Sequence, residues 1–244
     1  MPILMPFLKL AYYPIPKIAC TSMKHAIFRI NNEIDYKDIN RANRRESGEL
    51  SKRNRCQIHA IYKTEDFSLE AYEALSDYRK IALVRDPMER IVSAYSNRLL
   101  SKLVLEKPRI AQQLANLGLP IRPTLDEFVH NIADYRRVSQ PIRTHIRPIQ
   151  RILGDDVGRF DLIFHLKNMA DLEAFLSNEI GHPIMVPREQ ASAIKLTLDD
   201  LSDSSFSLLQ DFCRGDYALL KDLCPMPQRL PQGQVQSTEA ARDT

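Results

Sequence analysis

Glycine is scarce in this chain, at seven residues in 244, and none falls between Pro16 and Ser22, where an apolar segment gives way to a helical one. A loop of the G-x-x-x-x-G-K-[ST] type needs its glycines to let backbone N–H groups close around a phosphate, so the ordinary ATP or GTP site is excluded. The four cysteines, Cys20, Cys56, Cys213 and Cys224, show neither C-x-x-C spacing nor a paired histidine. That argues against zinc and reads as free thiols of a reducing compartment. No apolar run approaches the ~18–20 residues that span a bilayer. The opening stretch MPILMPFLKLAYYPIPK lacks a basic n-region and a small-residue cleavage site and does not read as a signal peptide. The expectation is a soluble, cytoplasmic protein. A net charge of only +3 leaves no global nucleic-acid footprint, so any basic site has to be local. No internal repeat is visible.

What is present is apolar content sufficient for one large domain, with 44% hydrophobic and 27% charged residues. Leu8 to Ile15 reads as a first strand, and Thr21 to Ile30 follows with Met23, Ala26, Ile27 and Ile30 at helical spacing. Asp35 to Arg55 is charged and reads as a loop, and Cys56 to Tyr62 alternates weakly and reads as a short strand. Leu69 to Tyr78 reads as a helix, and Lys80 to Val84 is a continuous apolar run of the buried parallel-strand type. Asp86 as N-cap and Pro87 at the first helical position open a helix with an apolar stripe of Met88, Ile91, Val92, Tyr95 and Leu99. Thr124 to Glu127 is a capping box, Phe160 to Leu166 a further strand, and Asp171 to Ile180 a helix stopped by Gly181. Leu198 to Leu223 supplies one or two terminal helices. Strands alternating with helices predict an α/β domain over residues 1–224 around a mainly parallel sheet flanked by helices; the polar, Pro/Gln-rich stretch 225–244 reads as a disordered tail.

Two strand-to-helix turns carry the chemistry. Pro16-Lys17-Ile18-Ala19-Cys20-Thr21-Ser22 puts a cation, small residues and two hydroxyls at a helix start. Arg85-Asp86-Pro87-Met88-Glu89-Arg90-Ile91-Val92-Ser93 puts an arginine at a strand end and a serine eight residues on. A helix N-terminus offers free N–H groups and positive dipole to an anion, and a guanidinium donates paired hydrogen bonds to phosphate. Two such turns in one α/β domain suggest a ligand with phosphate at both ends. The plainer alternative is two capped helices with solvated charges.

These segments resemble the nucleotide-binding elements of the carbohydrate sulfotransferases of the heparan sulfate 2-O-sulfotransferase type. In that family Pro-Lys-x-x-x-Thr-Ser forms the 5′-phosphosulfate loop, and Arg-Asp-Pro-x-Glu-Arg-x-x-Ser-x-Tyr binds the 3′-phosphate. The resemblance implies a P-loop-like three-layer fold and 3′-phosphoadenylyl sulfate (PAPS) as sulfuryl donor, with adenosine 3′,5′-bisphosphate (PAP) as product and no metal. It implies that Lys17 contacts the phosphosulfate, Ala19, Cys20, Thr21 and Ser22 complete its loop, and Arg85 and Ser93 hold the 3′-phosphate. Cys20 stands where Gly or Ser is more usual in the family. The acceptor implied is a hydroxyl of a carbohydrate or glycolipid. The likeness returns weakly at His145-x-x-Pro148-Ile149 and at Phe212 to Tyr217.

Sulfuryl transfer to an alcohol requires a group to take the hydroxyl proton and a cation for the charge on the departing phosphate. Lys17 suits the second task. For the first the resemblance points to His59, with His145 as runner-up; His25 reads as surface and His165 as a core-edge imidazole. Asp86 and Arg90 read as holding the turn rather than touching substrate. Arg41, Arg44, Arg45, Arg53 and Arg55 form the densest basic stretch, either a solvated loop or a means of recruiting an anionic acceptor. The rivals are a P-loop-type kinase and a non-catalytic relative that binds nucleotide or glycan.

Overall fold

The computed structural model describes residues 1–36, 58–187 and 194–229. Four strands form one sheet in the order β1 (Ile3–Met5), β2 (Leu10–Tyr13), β3 (Arg79–Val84) and β4 (Leu162–His165). β2, β3 and β4 run parallel, and β1 pairs antiparallel with β2. The first strand is therefore shorter than the Leu8 to Ile15 expected, because Pro6–Leu8 makes a tight turn and Lys9 takes a left-handed φ of 50°. That turn folds the apolar start back as a hairpin.

The helices are α1 (Cys20–Asn32), α2 (Ile58–Ile61), α3 (Leu69–Glu73), α4 (Pro87–Tyr95), α5 (Pro108–Asn116), α6 (Leu125–His130), α7 (Ile132–Val138), α8 (Gln140–His145), α9 (Gln150–Leu153), α10 (Met169–Ile180) and α11 (Asp203–Leu219). α4 starts as its sequence dictates, with the Asp86 carboxylate accepting from Glu89 N at 2.9 Å. α6 has its capping box, and α10 ends at Gly181 with φ 83°. The segment around His59 is a helix, not the strand its weak alternation suggested: Ile58 and Tyr62, four residues apart, pack together with Phe28 and Tyr36, and Tyr62 N donates to Ile58 O at 2.9 Å. Leu69 to Tyr78 is helical only to Glu73.

Beside the small cluster around Ile58, two large apolar clusters make up the core of the described residues. One packs the sheet with α1, α9 and α10; the other packs α4 with α5 to α8 and α11. Residues 225–229, placed in the tail by composition, lie against α11. There Gln210 Nε2 donates to Pro227 O at 2.6 Å and Arg229 pairs with Asp203 at 3.0 Å; residues 230–244 lie outside the described residues. Among the described residues no helix is long and apolar enough to cross a membrane.

Candidate active site

β2 and β3 are neighbours running in the same direction, with Tyr13 opposite Ala82. The loops that leave them emerge at the same sheet end, the end where open parallel sheets bind ligands. One loop carries Lys17 into α1 and the other carries Arg85 into α4. Both side chains line a single cleft of about 470 Å³, with Ala19, Cys20, Thr21, Ser22, Ser93, His59 and His145. All nine residues singled out from the sequence meet there, whereas Arg41, Arg44, Arg45, Arg53, Arg55 and Cys56 lie outside the described residues.

The loop before α1 makes its tight approach without glycine. Lys17 and Ala19 both take left-handed backbone, at φ 70° and 45°, conformations an L-residue adopts at a cost of about 1–2 kcal/mol each. Ala19 is the N-cap of α1 and has no polar side chain to offer, and the first turn holds no acidic residue. A left-handed residue followed by a right-handed one turns successive N–H groups to the same side, a concavity that suits an anion. The dipole of a 13-residue helix adds to it.

The charge of the cleft has one sign. Lys17, Arg85, Arg98 and Lys195 line it, and among the described residues no carboxylate does. Burial, and after it the neighbouring charge of Arg98, brings the Lys17 ammonium down to about 8. Arg85 donates Nε to Glu89 at 3.2 Å, which fixes the guanidinium plane and, among the described residues, leaves its Nη groups open. A dianion at each end fits this donor set. Among the described residues no group of three or more His, Cys, Asp or Glu is placed to hold a metal ion.

The two imidazoles differ in their bonding. His59 Nε2 lies 3.1 Å from Thr21 Oγ1, and its Nδ1 lies 3.1 Å from Lys24 Nζ. Lys24 is fully buried on α1, also donates to Thr64 Oγ1 at 3.0 Å, and has its pKa lowered chiefly by burial. Burial and then the Lys24 charge hold His59 down to about 4. His145 ends α8, its Nδ1 donating to Pro141 O at 2.6 Å and its Nε2 accepting from Arg98. Of the remaining histidines, His25 is half-buried against the Tyr36 ring and His165 accepts from Lys167 N at 3.1 Å.

Arg90 is completely buried, reaching His145 O at 3.2 Å, Arg147 O at 2.9 Å and the Asp216 carboxylate at 3.2 Å. Asp216 also accepts from Ile149 N at 2.7 Å, and Tyr217 donates to Asp86 at 2.8 Å. The segment Phe212 to Tyr217 therefore braces the start of α4 and the chain before α9, and lies outside the cleft lining. Lys24 and Arg98 carried no sequence signal. Lys24 sits on the buried stripe of α1, and Arg98 follows α4 in a wider helical turn, Ser96–Ser101.

The sequence profile of the sulfotransferase family matches residues 3–220. The chain is 23% identical over 249 aligned positions to carbohydrate sulfotransferase 9 of Homo sapiens, covering 89% of this chain and 52% of the human protein. It is 32% identical over 96 residues to carbohydrate sulfotransferase 11 of Rattus norvegicus and of Mus musculus, covering 38% of this chain and 25% of each relative. It thus spans about half the length of the human relative. No solved structure gives a significant match.

Proposed function

The chain belongs to the sulfotransferase family, and on that premise we propose that it transfers the sulfuryl group of PAPS to a hydroxyl of a carbohydrate acceptor. The observation that carries this reading is that Lys17 and Arg85 face one cleft, lined by cations and by no carboxylate among the described residues, from adjacent parallel strands. The acceptor class rests on the relatives' names, which specify carbohydrate. In this reading Arg85 and Ser93 bind the 3′-phosphate, and the α1 N-terminus with Thr21 and Ser22 binds the 5′ side. Lys17 stabilises the oxygen that leaves sulfur as the acceptor oxygen bonds to it.

His59 takes the acceptor proton at Nε2. This requires the ring's own proton on Nδ1, the atom that lies 3.1 Å from Lys24 Nζ, with the Lys24 donors turned to Thr64 Oγ1. The phosphates of the donor, once bound, raise the proton affinity of His59 toward a useful range.

Calorimetry tests the binding half. PAP should bind without Mg²⁺ and ATP should not compete with it. Arg85→Ala should weaken PAP by about 10–100-fold, the loss of a charge-assisted contact, and a chain indifferent to PAP would overturn the reading. The pH profile tests Lys17. Its proton is needed for the leaving group and is present below its pKa, so kcat/KM should fall as pH rises through about 8. Lys17→Arg should carry that limb to higher pH, and a limb that stays in place would reassign it.

A further inference from the structure

Arg98 is the group this reading has not used. α4 is regular to Tyr95, and at about 100° per residue an unbroken helix would turn Arg98 about 140° away from Ser93. The wider turn over Ser96–Ser101, closed by Lys102 N donating to Asn97 O at 3.1 Å, breaks that phase, and Ser96, Asn97 and Arg98 all line the cleft. Such turns inside helices are frequent at functional sites.

The guanidinium arrives without a counter-ion. Among the described residues no carboxylate pairs with it, and its buried Nε has no partner. Burial leaves such a cation undercompensated until an anion is bound. Arg98 lines the same cleft as Lys17, Ala19 and Cys20 of the 5′ loop, and its charge, ahead of that of Arg85, is the foremost one acting on Lys17.

His145 fixes the position. Pro141 O can only accept, so the proton of the ring is on Nδ1 and the lone pair of Nε2 points at Arg98. That lone pair is spent on the guanidinium. Burial first, then Arg98 and more weakly Lys17 and His59, keep the ring neutral, with its pKa at about 4.

We propose that Arg98 is a third cationic anchor, for the 5′ phosphate or phosphosulfate of the donor, and that His145 is its positioning residue. The proposal rests on PAPS being the donor, and its tests separate the two claims. Titration calorimetry compares PAP with adenosine 3′-monophosphate, which lacks the 5′ group. Arg98→Gln should weaken PAP by about 10–100-fold and leave adenosine 3′-monophosphate unchanged, whereas Arg85→Ala should weaken both. His145→Ala should copy Arg98→Gln, and His145→Gln, whose amide oxygen still accepts from Arg98, should restore PAP binding and keep kcat within a few-fold. Unchanged PAP affinity in Arg98→Gln overturns the anchor. A loss of about 10²–10⁴-fold in kcat with PAP affinity intact in His145→Gln would make His145 the base and overturn the positioning role. The wild-type protein alone gives a third readout: ¹⁵N spectra should show His145 neutral and protonated on Nδ1 at pH 7. A ring titrating near 6.5, the ordinary histidine value, contradicts the arrangement. Failure of the wild type to bind PAP defeats the donor assignment itself, and this proposal with it.

Discussion

Lys17→Ala should lower kcat for sulfuryl transfer by about 10²–10³-fold, the usual loss when one donor to a developing oxyanion is removed. The thermal midpoint should hold or rise. The two expectations share a cause. The ammonium is half-buried beside Arg98 and Arg85, and among the described residues no carboxylate compensates it. In the free protein that charge works against folding, so its removal relieves repulsion. The left-handed φ of 70° at Lys17 remains with alanine, because the clash belongs to Cβ. Transfer assays with labelled donor alongside differential scanning calorimetry separate the two readouts. Wild-type turnover in this variant would remove Lys17 from the chemistry, and a large drop in midpoint would recast it as structural.

Loss of the Arg90 guanidinium should be the most damaging change outside the cleft. Arg90→Ala or Asp216→Ala should each cost about 3–5 kcal/mol in urea denaturation, since removing one partner strands the other in a buried site. Arg90→Met combined with Asp216→Leu should cost clearly less than the sum of the single changes, because the two groups form one unit. That double variant should still transfer poorly. Arg90 holds the carbonyls of His145 and Arg147, and without it the end of α8 loses its tether to α4. Additive single effects would show that the pair is not coupled.

Both strand-turn-helix units were legible in the sequence because their signals are local. An apolar run ends at a cation, a cap follows, and Pro87 or a pair of hydroxyls opens the helix. The mainly parallel sheet followed from strands alternating with helices; its strand order did not, and the segment expected as a strand around His59 is a helix. What escaped depends on distant partners or on phase. Arg90 read as holding its turn, but its partner and its burial did not show, since Asp216 lies 126 positions on. α2 is four residues long, too short to display a period of 3.6. Arg98 was invisible because a helical wheel drawn at a constant angle puts it on the wrong side, and nothing in Ser96-Asn97-Arg98 announces the change of pitch. The β1 hairpin turns through Lys9, a residue that carries no turn signature of its own.

The missing glycines before α1 have a thermodynamic consequence. A flexible phosphate loop surrenders conformational entropy each time it closes on its ligand. Here Lys17 and Ala19 already hold the unfavourable dihedral angles, so folding, not capture, has absorbed that loss. Nucleotide association in this cleft should therefore carry a smaller entropic penalty than a glycine-rich cradle does, and the backbone of the loop should look nearly the same before and after.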